Sequence, residues 1–168
     1  MKAVLVYDSV FGNTGQIVTA IEEGLKQTTD TELLSVKQAT AEDLMDADLL
    51  VVGSPTRGFR PTPEITTLLI TIPPHSLTGM KVAAFDTRFD ADEVESRFLG
   101  FVVRTGGYAA KHIAGQLQAA GGELIAAPEG FYVTDVQGPL AEGELERARL
   151  WAQTLLEKCQ APVEQEAA

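Results

Sequence analysis

Seven residues near the amino terminus, Ser9-Val10-Phe11-Gly12-Asn13-Thr14-Gly15, bring two kinds of hydroxyl and amide donor together with two glycines. Hydroxyl and amide groups donate hydrogen bonds without carrying charge, and Gly12 and Gly15 let main-chain N–H groups approach a ligand closely. Such a set suits a fixed phosphate ester. The stretch contains no Lys or Arg, whereas a γ-phosphate in transfer asks for a cation, and the chain has no Gly-Lys-Ser/Thr sequence. A nucleotide triphosphatase loop is therefore disfavoured, and the three-glycine dinucleotide fingerprint is absent. The competing reading is a turn with a capping box in an unrelated α/β protein.

A phosphate held by neutral donors needs a helix to begin beside it, because the first turn of a helix leaves main-chain N–H groups without partners. The flanking sequence supplies that setting. Residues 2–7 form a β-rich run, and Ile17, Ile21 and Leu25 follow at helical spacing with Ala20 and Gly24 beside them. The opening run is too short for a signal peptide and lacks a cleavage site, so a buried first strand and a cytoplasmic location are expected. A second strand is expected over 31–36, with Leu33, Leu34 and Val36, then a short helical segment over 41–45. The apolar run at 48–53 does not alternate, which is the pattern of a parallel strand covered on both faces. Thr62-Pro63-Glu64 reads as a helix start with Ile65, Leu68 and Leu69 turned inward, and Pro73-Pro74 must end it.

Residues 81–85 make a fourth strand. Between 90 and 104, Asp92-Glu93-Val94-Glu95 reads as helical, while Phe101-Val102-Val103 fits strand or helix. A helix over 108–120 buries Ile113 and Leu117 and stops at Gly121-Gly122. The fifth strand starts near Glu123, with Leu124-Ile125 and Phe131-Tyr132-Val133 interrupted by Pro128-Glu129-Gly130. A last helix over 142–159 presents Leu145, Ala148, Ala152 and Leu155 on one side. The expected organisation is one domain over 1–160 and a flexible C-terminal tail over 161–168. The order βαβαβαβαβα implies a three-layer, doubly wound α/β fold with a five-stranded parallel sheet and right-handed crossovers. A response-regulator domain shares that layout but needs a phosphoacceptor Asp after the third strand, where this chain has Gly53-Ser54-Pro55.

Ligands of doubly wound folds settle beyond the C-terminal ends of the strands. Three further segments fall there: Ser54-Pro55-Thr56-Arg57-Gly58-Phe59-Arg60, Asp86-Thr87-Arg88-Phe89-Asp90 and Thr105-Gly106-Gly107-Tyr108.

The 168 residues carry 13 Lys+Arg against 24 Asp+Glu, a formal charge of −11 that disfavours nucleic acid and anionic membranes and would steer a basic protein partner. An ordinary acidic exterior is the plainer explanation. No apolar run reaches membrane-spanning length, so membrane insertion is not expected. The single cysteine, Cys159, forms no internal disulfide and supplies no metal cluster; it reads as a small buried apolar group. His75 and His112 read as surface or helix-end residues, and neither a catalytic residue nor a metal ligand set is assigned.

The stretch Leu5-Val6-Tyr7-Asp8-Ser9-Val10-Phe11-Gly12-Asn13-Thr14 resembles the phosphate-loop signature of the flavodoxin-like FMN-binding family, and the resemblance extends across the βα succession. It implies that FMN is the cofactor. The side chains of Ser9, Asn13 and Thr14 and the main chain at Phe11, Gly12 and Gly15 would then hold the phosphate. Pro55, Thr56, Arg57, Gly58 and Phe59, with Thr87, Arg88 and Phe89, would frame the isoalloxazine ring, and Gly107 and Tyr108 would close the same edge. Phe59 is the expected stacking residue, with Phe89 or Tyr108 on the opposite face, although aromatic residues at strand ends also cap cores.

The chain departs from the family by carrying Val18 where a small Ala is frequent, and by lacking the usual Trp/Tyr pair. Its one tryptophan, Trp151, falls in the last helix and reads as packing. Gly58 stands where family members use a glycine to reorient a peptide near flavin N5. A cation near N1 or O2 would raise the flavin potential, and Arg57, Arg60 and Arg88 are open candidates unless tied up by Asp86 or Asp90. The resemblance implies an FMN-dependent electron-transfer protein that serves redox partners with basic surfaces. The alternatives are a small FMN-dependent quinone or NAD(P)H oxidoreductase, and a flavodoxin-like protein that has lost FMN; whether the chain is itself an enzyme stays open.

Overall fold

Side chains along a strand point alternately to the two faces of its sheet, so a strand covered on both faces must be apolar throughout. The computed structural model of the chain describes residues 1–90 and 107–161, and its central strands meet that demand. The elements are β1 (Lys2–Tyr7), α1 (Asn13–Leu25), β2 (Asp30–Ser35), α2 (Ala41–Met45), β3 (Leu49–Pro55), α3 (Pro63–Ile70), β4 (Lys81–Arg88), α4 (Ala109–Ala119), β5 (Glu123–Leu124), β6 (Glu129–Tyr132) and α5 (Glu144–Gln160). The strand order is β2-β1-β3-β4-β5, and every pairing is parallel.

Alternation sorts the strand residues into two cores. Val4, Val6, Leu50, Val52, Val82 and Ala84 pack with Leu44, Ile65, Leu69, Ile113 and Leu117, which places α2, α3 and α4 on one face. Ala3, Leu5, Leu49, Val51, Ala83 and Phe85 pack with Ile17, Ile21, Leu25, Ala148, Trp151 and Leu155, which places α1 and α5 on the other. This is the expected three-layer, doubly wound architecture. On the α1/α5 side Phe85, Phe131 and Trp151 meet edge to face, with ring centroids 6.0, 6.2 and 6.1 Å apart. Each such contact adds about 0.5–1.5 kcal/mol beyond the area it buries. Trp151 is thus core, as its helical position implies.

Several boundaries differ from the sequence reading. The fifth strand position is filled in two segments: β5 pairs with the start of β4 through Lys81↔Glu123 and Val82↔Leu124, and β6 with its end from Phe85↔Glu129 to Arg88↔Tyr132. The break falls at residues 125–128, so Glu129 and Gly130 belong to the strand and the interruption precedes them. Ser54 and Pro55 continue β3, and Asp86, Thr87 and Arg88 continue β4, because ladder pairs Ser54↔Asp86 and Pro55↔Thr87 extend the register past the apolar run. α3 ends at Ile70, before Pro73-Pro74. Leu145, expected on the buried side of the last helix, is 36% exposed; Glu144 and Trp151 are buried in that helix instead. The segments 92–95, 101–103 and 105–106, and the tail beyond Ala161, lie outside the described residues.

Gly53 on β3 lies directly beneath the Phe85 ring, and a Cβ there would fall 2.0 Å from its Cζ atom. Phe85 is fully buried and held by Phe131 and Trp151, so it has nowhere to withdraw. Gly53→Ala is expected to cost about 1–3 kcal/mol through overpacking, read as a lower urea midpoint; an unchanged midpoint would mean that the aromatic trio yields freely.

Candidate functional site

A helix start can be completed by a capping side chain, by acidic residues in the first turn, or by a ligand. Four of the described helices are completed internally. Thr40 and Asp43 form a capping box on α2, and the Thr62 hydroxyl accepts the Ile65 N–H on α3 at 3.4 Å. At α4, Ala110 N–H donates to Asp86 Oδ2 at 2.8 Å and Ala109 N–H to Thr56 Oγ1 at 3.0 Å. α5 carries Glu144 and Glu146 in its first turn. α1 differs: its N-cap, Gly12, has no side chain, and its first turn has no acid. Gly12 sits at φ 90°, in open space, so glycine is required there by the main-chain conformation and not by crowding. Among the described residues, the main-chain N–H groups of Asn13 and Thr14 meet no acceptor.

The side chains around this helix start are bonded to one another yet retain protons. Ser9 Oγ accepts the Gly15 N–H at 3.2 Å, and its own O–H remains available. The hydroxyls of Thr14 and Thr87 meet at 2.8 Å; whichever accepts keeps its own proton. Asn13 Nδ2 donates to the Gln137 carbonyl at 3.1 Å and keeps a second N–H. Asp8 turns its carboxylate onto the adjacent Ser9 N–H at 2.8 Å. This donor set fits a phosphate ester.

Asn13 and Thr14 form one end of a cavity of about 360 Å³. The cavity continues along Pro55 and Thr56 to the turn Arg57-Gly58-Phe59, and along Thr87, Arg88 and Phe89 to Tyr108. The turn is closed by reciprocal main-chain bonds between Arg57 and Arg60, at 2.9 and 3.1 Å. Its two central residues are both left-handed, Gly58 at φ 53° and Phe59 at φ 67°. That conformation costs an aromatic residue main-chain strain, and strain of this kind gathers at ligand sites. The turn directs Phe59 into the cavity wall.

Of the residues singled out in the sequence, Phe11, Asn13, Thr14, Pro55, Thr56, Arg57, Gly58, Phe59, Thr87, Arg88, Phe89 and Tyr108 line this one cavity. Ser9, Gly12, Gly15 and Gly107 do not. Ser9 braces Gly15, Gly12 and Gly15 border a separate cleft between α1 and α5, and Gly107 leads the chain into Tyr108. Sequence reasoning missed the wall made by Val133 and Val136. Val133 follows the last residue of β6, so the rule that points to strand ends applies to the fifth strand position as well.

Of the three open arginines, Arg88 is tied up. Its Nε and Nη2 donate to Asp86 Oδ1 and Oδ2 at 2.5 and 2.8 Å, and its guanidinium lies 3.6 Å from the Tyr108 ring centroid. Asp86 is fully buried; burial pushes its carboxyl upward, against the pull of Arg88 and the Ala110 N–H. Burial likewise raises the Tyr108 phenol, with Arg88 opposing. Arg57 and Arg60 are exposed and have no ion pair among the described residues. His75 and His112 are exposed, and no metal-binding group of His, Cys, Asp and Glu occurs among the described residues. Cys159 is half-buried against the α1/α5 core, and burial raises its thiol.

The geometry defines a class: a doubly wound domain whose sheet edge can take a flat ligand by its phosphate. The chain belongs to the flavodoxin domain family, whose model matches residues 4–126. FMN is the cofactor that this membership implies, and the donor set and cavity fit it. A flavodoxin from Aquifex aeolicus is 42% identical over 57 residues, a stretch that covers 33% of this chain and 31% of that relative. The fold is shared with oxidised flavodoxin 2 from Bacillus cereus, with TM-score 0.74 and 24% identity over 94% of this chain and 99% of that one. It is also shared with rubredoxin oxygen:oxidoreductase from Desulfovibrio gigas, with TM-score 0.70 and 22% identity over 95% of this chain and 37% of that one.

Ser9→Ala removes one neutral donor from the loop and nothing from the ring end. It is expected to weaken FMN binding about tenfold, the worth of one hydrogen bond to a charged group, and to leave riboflavin binding unchanged. Equal losses for both flavins by fluorescence titration would place the phosphate elsewhere.

Proposed function

We propose that this chain binds FMN with the phosphate on the start of α1 and the ring between the Arg57–Arg60 turn and the wall of Arg88, Phe89 and Tyr108, and that it carries electrons between redox proteins. The observation that carries this reading is the continuity of a single cavity from the α1 start to the strained turn bearing Phe59. When bound, FMN supplies the one- and two-electron chemistry. The protein's part is to bind, orient and shield. Asn13 and Thr14 at the cavity end, with Ser9 beside them braced on Gly15, would hold the phosphate with neutral donors; Phe59 and Tyr108 offer flat surfaces to the ring, and Val10, Val133 and Val136 line the remaining wall. Gly58, which lines the cavity at φ 53° with open space around it, would supply a peptide free to turn and so to offer the ring either its N–H or a carbonyl.

Val10, Phe11, Phe89 and Val136 are exposed at 43, 46, 44 and 64%, so the cavity mouth is apolar and accessible to a docking surface. The formal charge of −11 supports long-range attraction of a basic partner. Close to the mouth the described charges are mixed, with Arg57 and Arg60 as well as Asp90 and Asp135, so this steering belongs to the whole protein's field. No helix among the described residues is long and apolar enough to cross a membrane.

Purified protein supplied with FMN is expected to show a bound-flavin absorption spectrum, to oxidise NADH and NADPH slowly by itself, and to exchange electrons rapidly with a redox protein. Fast NAD(P)H oxidation that depends on an added quinone would favour the reductase, and no bound flavin would sink both. Association with a basic redox protein is expected to slow as salt rises; a salt-independent rate would remove the steering. Gly58→Ala has space for its methyl but not the favoured φ, so it is expected to cost about 1 kcal/mol and to shift the flavin's one-electron potential. An unchanged potential in the folded variant would free Gly58 of its role at the ring edge.

A further inference from the structure

Asp86 is fully buried at the end of β4, yet it receives donors from two directions. Arg88 reaches both of its oxygens at 2.5 and 2.8 Å, and the Ala110 N–H at the start of α4 reaches Oδ2 at 2.8 Å. Asp86 and Arg88 stand two apart on one strand and so share a face of the sheet. The guanidinium that Asp86 fixes passes against Gly130, where a Cβ would lie 2.4 Å from Cζ, and stacks 3.6 Å from the centroid of Tyr108. Arg88 and Tyr108 line the cavity, whereas Asp86 does not. One cavity wall is therefore a guanidinium–phenol stack pinned from behind by a carboxylate.

Resting on the flavin reading above, we propose that Asp86 is a positioning residue. It fixes the stacked Arg88–Tyr108 pair as one planar wall of the ring site and cancels the charge that Arg88 would otherwise present to the ring. Two consequences follow from the geometry. Arg88 does not act as the cation that favours an anionic reduced ring, because its charge is met by two carboxylate oxygens at hydrogen-bond distance. The wall is also rigid: a planar guanidinium held by two parallel bonds gives up little freedom when a ring packs against its partner. Asp86 thus serves α4 and the cavity wall with one carboxylate, accepting from the helix start on one side and from Arg88 on the other.

The test separates charge from position. Asp86→Asn keeps the shape and an oxygen for the Ala110 N–H but leaves Arg88 charged beside the cavity. It is expected to raise the flavin midpoint potential and, in the flavin-free protein, to lower the pH at which the Tyr108 phenol ionises. That phenol, also acted on by Asp90 and Tyr132, is read as the ultraviolet difference from Tyr108→Phe. Gly130→Ala pushes the guanidinium aside with its charge pairing available. It is expected to weaken FMN and riboflavin alike by about fivefold, the worth of one aromatic contact, as Tyr108→Leu does and Tyr108→Phe does not. If wild type binds FMN but Asp86→Asn leaves both the potential and the phenol titration unmoved, or Gly130→Ala leaves both affinities unmoved, the positioning role is overturned and the flavin reading stands. If wild type binds neither FMN nor riboflavin, the flavin reading is overturned and this role with it. Should Asp86→Asn fail to fold, Gly130→Ala and Tyr108→Leu decide the matter.

Discussion

The start of α1 leaves the main-chain N–H groups of Asn13 and Thr14 without an acceptor among the described residues, Ser9 meeting only the Gly15 N–H behind them. A helix concentrates partial positive charge at its first turn, and in a folded protein that charge is met by something. Thr40, Thr62 and Asp86 meet it for α2, α3 and α4, and the acids of the first turn meet it for α5. Only α1, among the described helices, presents the charge to a cavity with no acid in its first turn and its first two N–H groups unmet. In the proposed flavin site the affinity for an anion would rest on that arrangement, and so would the orientation of the ring, because a phosphate fixed at one end sets where the other end lies.

The sheet makes the arrangement possible. Its strands run parallel, so their C-terminal ends share one edge, and described residues that follow β1, β3, β4 and β6 meet there around the cavity. Two apolar faces hold the edge in place. Gly53 lets Phe85 lie flat over β3, and Phe85 in turn braces Phe131 and Trp151. Glu144 then joins the first turn of α5 to β6 by accepting the Tyr132 N–H at 2.7 Å, while Arg147 bonds Glu144, Glu129 and the Gly130 carbonyl. This network secures the strand from which Gly130 meets Arg88. Electrostatic pairing in the interior and access at the mouth are therefore handled by different residues.

Much of this was legible in the residues. The non-alternating run at 48–53 announces a strand with two covered faces, and the Ile17, Ile21, Leu25 spacing announces the face that α1 buries. Thr62-Pro63 marks the start of α3 because its chemistry is local. The candidate phosphate loop stood out for the same reason: its donors lie within seven consecutive residues. What was not legible depended on partners distant in sequence. Strand ends at Pro55 and Arg88 are set by ladder register, Leu145 faces solvent because α5 turns Ala148 and Trp151 inward, and the split fifth strand reflects where β4 offers hydrogen bonds. The pairing of Arg88 with Asp86 was one of two carboxylates open to it, and only the shared strand face decides between them. Val133 and Val136 carry no chemical signal beyond being apolar.

The central claim is that two main-chain N–H groups at the start of α1 bind the phosphate of the flavin. Amide proton and nitrogen resonances of Asn13 and Thr14, followed by NMR as the apoprotein is titrated, test this directly. FMN is expected to move both amide protons strongly downfield and to couple them to phosphorus, whereas riboflavin leaves them near their free positions. Amide signals that respond equally to the two flavins, or to neither, would contradict the account.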